Sequence, residues 1–191
     1  MTTLLQLSPF AIAKTISCLQ DGGVAAFPTE TVYGLVTLWD NEEGRSRIYR
    51  MKHRPPEKRL QMLAANLQDA QNAGLIATPL LERLAKNYWP GPLTVVANAA
   101  GGDTIGLRIP DFPPLLELLN RLGRPLAATS ANLSGEPAAM TATAAVVHLA
   151  ELPDLLIDGG AIQNSQGAST VASIVSGEIQ ILRKGAVIPI V

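Results

Sequence analysis

"PLAATSANLSG", residues 125–135, joins two kinds of sequence without a break. Leu126, Ala127 and Ala128 form a short apolar run that reads as a buried strand, and it passes straight into a loop of hydroxyls, an amide and a glycine. An apolar strand ending in small polar residues argues for an α/β sheet, where ligands gather at strand ends. Polar islands of the same kind stand at "PTETVYG" (28–34), "KHRPPEK" (52–58), "IGLRIP" (105–110), "QGAST" (166–170) and "ILRKG" (181–185). One island alone is turn chemistry; several that share hydroxyls and cations point to a common site.

Outward from that stretch, helices and strands alternate. Ser8-Pro9 reads as an N-cap followed by proline at the first helical position, with Phe10, Ile12, Ala13, Ile16 and Leu19 on one face and Gly22-Gly23 as the stop. "VAAF" (24–27) predicts a buried strand that Pro28 ends. "EEGRSRIYRMK" (42–52) predicts a helix broken by Pro55-Pro56, "LQMLAA" (60–65) a strand, and Thr78-Pro79 a helix through Tyr88 that "WPGP" ends. "LTVVA" (93–97) and "TIGLRI" (104–109) predict strands, and Asp111 is the expected cap of a helix from near Pro113 to Gly123. Thr141 or Thr143 should open an alanine-rich helix to Ala150. "LLID" (155–158), "STVASIV" (169–175) and "EIQILR" (178–183) predict strands, the last two forming a hairpin through Ser176-Gly177. The expected fold is α/β, a twisted open mixed sheet with flanking helices, as one domain over residues 1–191. Residues 161–169, polar and aperiodic, are expected to form a mobile loop.

Composition narrows the function. With 47% hydrophobic and 16% charged residues the chain is globular, and a net charge of −1 means that any affinity for anions must be local. Arg45, Arg47, Arg50, Lys52, Arg54, Lys58 and Arg59 place seven of the fifteen basic residues in one short segment, opposed only by Glu57. That concentration points to an anion site rather than a solvated helix face. Cys18 is alone, so no internal disulfide can form, and it is expected to pack on the apolar side of its helix. No basic and apolar leader and no long apolar run is visible, so the expected location is cytoplasmic, away from membranes.

The loop's serines raise the question of nucleophilic catalysis. A serine needs a base, and only His53 and His148 exist, neither beside a carboxylate in sequence; G-x-S-x-G is absent. One cysteine and two scattered histidines exclude a zinc-type ligand set, while Mg²⁺ held by phosphates and water needs few protein ligands and stays open. Neither G-x-x-x-x-G-K-[ST] nor G-x-G-x-x-G occurs. A phosphate site must then come from cations and hydroxyls. Lys52 and Arg54, two apart and followed by Pro55, suit a triphosphate if they face "TSANLSG". Alternation sets Ile105, Leu107 and Ile109 on one face and Arg108 on the other, where it is either a solvent-facing arginine or a bidentate partner for a carboxylate.

Taken in order, "PTETVYG", Lys52-His53-Arg54-Pro55, "WPGPLT", "LRIP", "TSANLSG", "STV" and "ILRKG" resemble the motifs of L-threonylcarbamoyladenylate synthases, the YrdC-like family, from about residue 8 to residue 187. The resemblance implies a concave, positively lined cavity and a nucleotidyl transfer: L-threonine, bicarbonate or CO₂, and ATP give threonylcarbamoyl-AMP and pyrophosphate. Partner proteins then pass the group to adenosine 37 of tRNAs reading ANN codons. It also implies roles. Thr29, Thr31, Arg108, Ala128 and Ser169 would contact threonine, with Arg108 on its carboxylate. Lys52, Arg54, Lys58, Thr104, Ser130 and Arg183 would face ATP, which arrives with Mg²⁺, and Lys52, Arg54, Ser130 and Asn132 would form the catalytic set; no protein metal site is implied. The chain departs from the family at Leu63, near a common histidine, and at Ala168, where a glutamate is common; the extra C-terminal domain of longer members is not seen. The alternatives are a non-catalytic module that holds tRNA or duplex RNA on the basic cavity, and a carbamoyl-transfer enzyme with another acceptor.

Overall fold

The computed structural model describes residues 2–163 and 167–190. In chain order the elements are β1 (Thr3–Gln6), α1 (Pro9–Gln20), β2 (Ala25–Phe27), β3 (Gly34–Leu38), α2 (Glu42–Lys52), β4 (Gln61–Leu63), α3 (Leu67–Asn72), α4 (Pro79–Tyr88), β5 (Leu93–Asn98), β6 (Thr104–Arg108), α5 (Pro113–Leu122), β7 (Leu126–Ser130), α6 (Ala142–Val146), β8 (Leu155–Asp158), β9 (Thr170–Ser173) and β10 (Gln180–Arg183). The strands form one mixed ten-stranded sheet in the order β1-β8-β2-β3-β7-β4-β6-β5-β9-β10. The expected α/β class with a mixed sheet and flanking helices is what forms. Among the described residues no helix is long and apolar enough to cross a membrane.

Local chemistry explains most element ends. Ser8, Thr78 and Thr141 cap α1, α4 and α6, each accepting a backbone N–H at 3.2 Å on its side-chain oxygen. Gly123 ends α5 at φ 60°, a left-handed conformation that glycine adopts without steric cost. The expected cap of α5 is corrected: Phe112 occupies that position with no side-chain bond, while the Asp111 backbone N–H donates to Glu30 Oε1 at 3.0 Å. The alanine-rich helix is also shorter than expected, stopping at Val146. The strand after Pro125 runs through Ser130, beyond the expected Ala128. Of the loop expected at 161–169, residues 164–166 lie outside the described residues. Cys18 packs, half-buried, against the core, and burial pushes its thiol up to about 11.

Side chains alternate across the sheet, and the two faces have different fates. One face of β2, β3, β7 and β8 supplies Phe27, Val36, Leu126 and Ile157, which α1 and α5 cover with Ile12, Leu19, Leu115, Leu118 and Leu119. On the opposite face, α2 and α6 pack on Ala26, Leu35 and Ala127, while α4 packs on Met62, Val95, Leu107 and Ala172. The α1–α5 pair reaches only as far as Leu63 on β4. Beyond it, the same face of β4, β6, β5 and β9 carries Gln61, Thr94, Gly106, Arg108 and Val171 and borders a cleft.

Candidate functional site

That cleft has a volume of about 450 Å³ and draws its walls from the strand ends, β7 at 128–130 among them, and the loops at 31–32, 132–138 and 168–169. Its floor follows from pairing. Gly106 on β6 lies between β4 and β5, and with no side chain there Gln61 Oε1 and Thr94 Oγ1 meet across it at 3.1 Å. Thr94 Oγ1 in turn lies 3.1 Å from Ser169 Oγ, and Arg183 donates to Ser169 O at 2.7 Å. A connected polar row therefore crosses the floor from Gln61 to Arg183.

The "TSANLSG" loop is held from beneath by Lys52. This lysine, at the last position of α2, is 1% exposed. Its Nζ donates to Ser130 O at 2.6 Å, to Asn132 O and to Asn132 Oδ1, and its own carbonyl accepts from Ser134 N at 3.1 Å. Ser130 Oγ donates to Asn132 Oδ1, whose Nδ2 reaches Leu133 O and Glu136 O. Burial, and after it the Arg54 charge, pulls the Lys52 pKa down to about 8. His53 and His148 are both exposed and outside the cleft lining, so neither stands as a base for Ser130.

Arg108 is buried, 3% exposed, which removes the solvent-facing alternative. Its Nε donates to Gly91 O at 3.2 Å, Nη1 to Thr31 Oγ1 at 2.9 Å and Nη2 to Glu30 Oε1. A guanidinium has five N–H donors, and three have these partners while the group also borders the cleft. Glu30 Oε2 is buried with no hydrogen-bond partner among the described residues. Arg183, across the cleft, has its pKa lowered by burial and then by the Arg108 charge. Arg54 is lowered by burial. Both shifts mark partial desolvation of a cation, which an incoming anion would offset.

The sequence-predicted residues divide accordingly. Thr31, Arg54, Thr104, Arg108, Ala128, Ser130, Asn132, Ser169 and Arg183 border the cleft. Lys52 sits behind the loop rather than on the surface, because its three donors are engaged by Ser130 and Asn132. Thr29 uses its hydroxyl inside its own turn, donating to Val32 O at 2.7 Å and accepting from Thr31 N and Val32 N. Lys58 stays exposed and outside the cleft lining. The basic segment does not form one patch: Arg47 pairs with Glu151 and Asp154, Arg50 with Glu43, and Arg45 lies over the Trp39 ring. Only Arg54 and Arg59 of that segment reach the cleft, and Arg59 also pairs with Asp103. Sequence reasoning passed over Glu30, Gln61, Thr94 and Gly106. Glu30 lies inside a quoted motif; the others are assembled by strand register, which no local signal carries.

Comparison with known proteins gives one direction. The Sua5_yciO_yrdC family profile, described as "Telomere recombination", matches residues 17–185. A threonylcarbamoyl-AMP synthase of Vibrio cholerae is 33% identical over 187 residues, covering 91% of this chain and 97% of that protein. One of Bacillus subtilis is 35% identical over 159 residues, covering 78% of this chain and 46% of the relative. Among solved structures, Pyrococcus abyssi Sua5 complexed with L-threonine superposes with a TM-score of 0.87 at 31% identity, over 96% of this chain and 58% of that one. The chain thus spans about half the length of the Bacillus and Pyrococcus relatives and nearly all of the Vibrio one.

The Glu30–Arg108 pair, its arginine buried and its glutamate partly exposed, anchors a cleft-lining guanidinium. Glu30→Ala leaves the guanidinium without its counter-charge and should cost about 3–5 kcal/mol of stability. Glu30→Gln, which keeps an accepting oxygen, should cost distinctly less. Urea unfolding reads both as a lowered midpoint at unchanged slope; an unshifted midpoint for Glu30→Ala would show that the pair has no structural weight.

Proposed function

The chain belongs to the Sua5_yciO_yrdC family, and from that premise we propose that it makes threonylcarbamoyl-AMP and pyrophosphate from L-threonine, bicarbonate or CO₂, and ATP. The observation that carries this reading is the cleft's chemistry: arginines 54, 59, 108 and 183 border it with the hydroxyl residues Thr31, Thr94, Ser130 and Ser169, without a histidine or a cysteine in its lining. Such a site suits a reaction between two anions that needs no enzyme nucleophile. The threonine amine loses a proton and combines with CO₂ to give an N-carboxylate. That carboxylate oxygen attacks the α-phosphorus, and the bond to the β-phosphate breaks to release pyrophosphate. The protein's share is to position the reactants and offset their charge.

In this reading Arg108 takes the threonine carboxylate, with Thr31 and Ser169 beside it. Arg54, Arg183 and Thr104 face the nucleotide, and Ser130 and Asn132 stand where the two substrates meet. Lys52 supports them by holding the loop. Among the described residues no group of three or more histidine, cysteine, aspartate or glutamate side chains could hold a metal. Mg²⁺ would arrive as part of the substrate, carried by the ATP phosphates and water. The product then passes to proteins that transfer the threonylcarbamoyl group to tRNA.

The deciding experiment is pyrophosphate release from MgATP. It should require threonine and bicarbonate together; release that is indifferent to either one rejects the reading. Arg108→Ala should raise the KM for threonine by about 10²-fold, the scale of a lost charge-assisted contact, and leave the KM for ATP little changed. Equal losses for both substrates would remove Arg108 from the carboxylate role. The Lys52 pKa of about 8 sets a pH window. Below it the ammonium carries all three N–H donors; above it one proton leaves and the loop loses a bond. Calorimetric affinity for MgATP should hold to neutral pH and weaken as pH rises through about 8. Lowered pKa also means that the burial cost of this charge opposes folding below that window and is relieved as pH climbs toward 10.5. Lys52's contributions to ligand affinity and to stability should therefore move in opposite directions.

A further inference from the structure

Residues 185–190 belong to no strand, yet they are tied down along their length. Gly185 lies so close to the cleft wall that a Cβ on it would come within 2.4 Å of Ala168 O and 2.5 Å of the Ser169 carbonyl carbon and the Thr170 nitrogen, all of them backbone atoms. Thr170 Oγ1 donates to Val187 O and accepts from Val187 N at 3.2 Å. The hydroxyl of Tyr88, the last residue of α4, accepts from Ile190 N at 2.8 Å and donates to Ile190 O at 3.2 Å. Val187 and Pro189 turn inward, Val187 onto the core beneath α4, while Ile188 and Ile190 turn outward. The segment is a strap that runs from the end of β10 to the end of α4.

The near end of this strap bears on two residues of the cleft. Among the described residues β10 is an edge strand with β9 as its neighbour, and its register shifts between Ile181 and Arg183. A bulge of that kind re-aims the side chain beyond it, and here it brings Arg183 opposite Val171 on the cleft side. An edge strand past its bulge has little ladder left to hold that aim. The Arg183 guanidinium donates to Ser169 O at 2.7 Å and to Ser169 Oγ at 3.3 Å. The two side chains therefore keep their places only while the backbone at 183–185 stays seated on the backbone at 168–170, which is where Gly185 and the Thr170–Val187 pair act. We infer that docking of the 185–190 strap on Tyr88 and Thr170 holds Ser169 and Arg183 where substrates meet them, which makes Tyr88 a positioning residue although it stands outside the cleft lining. This role rests on the proposed function, which sets Ser169 beside threonine and Arg183 on the nucleotide. If the docked strap raises substrate affinity, bound substrates favour the docked strap by the same coupling.

The test compares the wild type with Tyr88→Phe, which keeps the ring and removes the hydroxyl, and with Gly185→Ala, which lifts the strap from 168–170. Pyrophosphate release gives kcat and KM, and amide exchange read by NMR follows Val187 and Ile190. Tyr88→Phe should raise the KM for threonine and the KM for ATP together by about 3- to 10-fold, the scale of one net hydrogen bond, with kcat within about twofold of the wild type. Gly185→Ala should lower kcat/KM by about 10²-fold, the scale of an ångström of misplacement. In CO₂-free buffer, where no turnover occurs, saturating threonine and MgATP should slow exchange at both wild-type amides by at least the factor that Tyr88→Phe loses in binding. Unchanged KM values in Tyr88→Phe overturn the role of the strap, even if Gly185→Ala fails to fold. A fall in kcat at unchanged KM overturns it as well, since that is the signature of lost folded protein rather than of a loosened wall. Strap amides whose exchange ignores the substrates do the same. Any of these results beside normal wild-type release counts against the strap alone; a wild type that releases no pyrophosphate removes the proposed function and the positioning role with it.

Discussion

A sheet face that its helices cover only halfway governs the rest of this molecule. The strands β4, β6, β5 and β9 are internal, with neighbours on both sides, so their backbone hydrogen bonds are complete whatever their side chains do. Their other face packs Met62, Val95, Leu107 and Ala172 beneath α3 and α4. One face of these strands therefore supplies the burial that stabilises them, and the other is released from core duty. On that released face a glycine, two polar side chains and a buried arginine are tolerated where a core would require aliphatic carbon. Period-two alternation thus divides each strand between stability and binding, and the boundary falls between Leu63, still under α5, and Gln61, already in the cleft.

The charges inside the cleft follow from the same division. Arg108 could not sit on a helix-covered face without complete partners, and at the margin its partners among the described residues are Gly91 O, Thr31 and Glu30, for three of its five donors. Arg183 sits close enough for the two like charges to disfavour each other. An anion placed between them would be attracted by both. Arg54, Arg59, Arg108 and Arg183 border one cleft, with Glu136 on its rim. The proposed joining of a carbamate to a triphosphate would be first a problem of bringing anions together, and there the resemblance in the motifs meets the charges of the cleft.

Legibility in the sequence followed the range of the signal. Helix starts at Ser8, Thr78 and Thr141 depend on a side chain and an N–H three residues on, and the sequence shows them directly. The strand at 34–38 passed unread because all five residues are buried and no alternation marks it; β1 and the six-residue α3 carry too little pattern to stand out. The basic segment misled for a geometric reason. A helix turns about 100° per residue, so Arg45, Arg47 and Arg50 leave α2 in different directions and find Trp39, Glu151 with Asp154, and Glu43. Adjacency in sequence is not adjacency on a surface. Gln61 and Thr94 were invisible for the converse reason: they stand 33 residues apart and meet only through strand register.

Ser130 shows what the structure adds to a motif. Its sequence context invites a nucleophile, yet what surrounds it is a scaffold. A lysine ammonium is compact and offers three donors at tetrahedral angles, and here the three acceptors all come from Ser130 and Asn132. A planar guanidinium would present its donors in a fixed fork and could not converge on them in the same way. The end of α2 also gives the loop an acceptor, the Lys52 carbonyl for Ser134 N. Helix end and loop are therefore one hydrogen-bonded unit, and such networks respond to change as a whole rather than residue by residue. Lys52, Ser130 and Asn132 are then not three separate contacts to a ligand. They are a single device in which a buried charge sets the shape of the loop, and the loop sets the shape of that wall of the cleft.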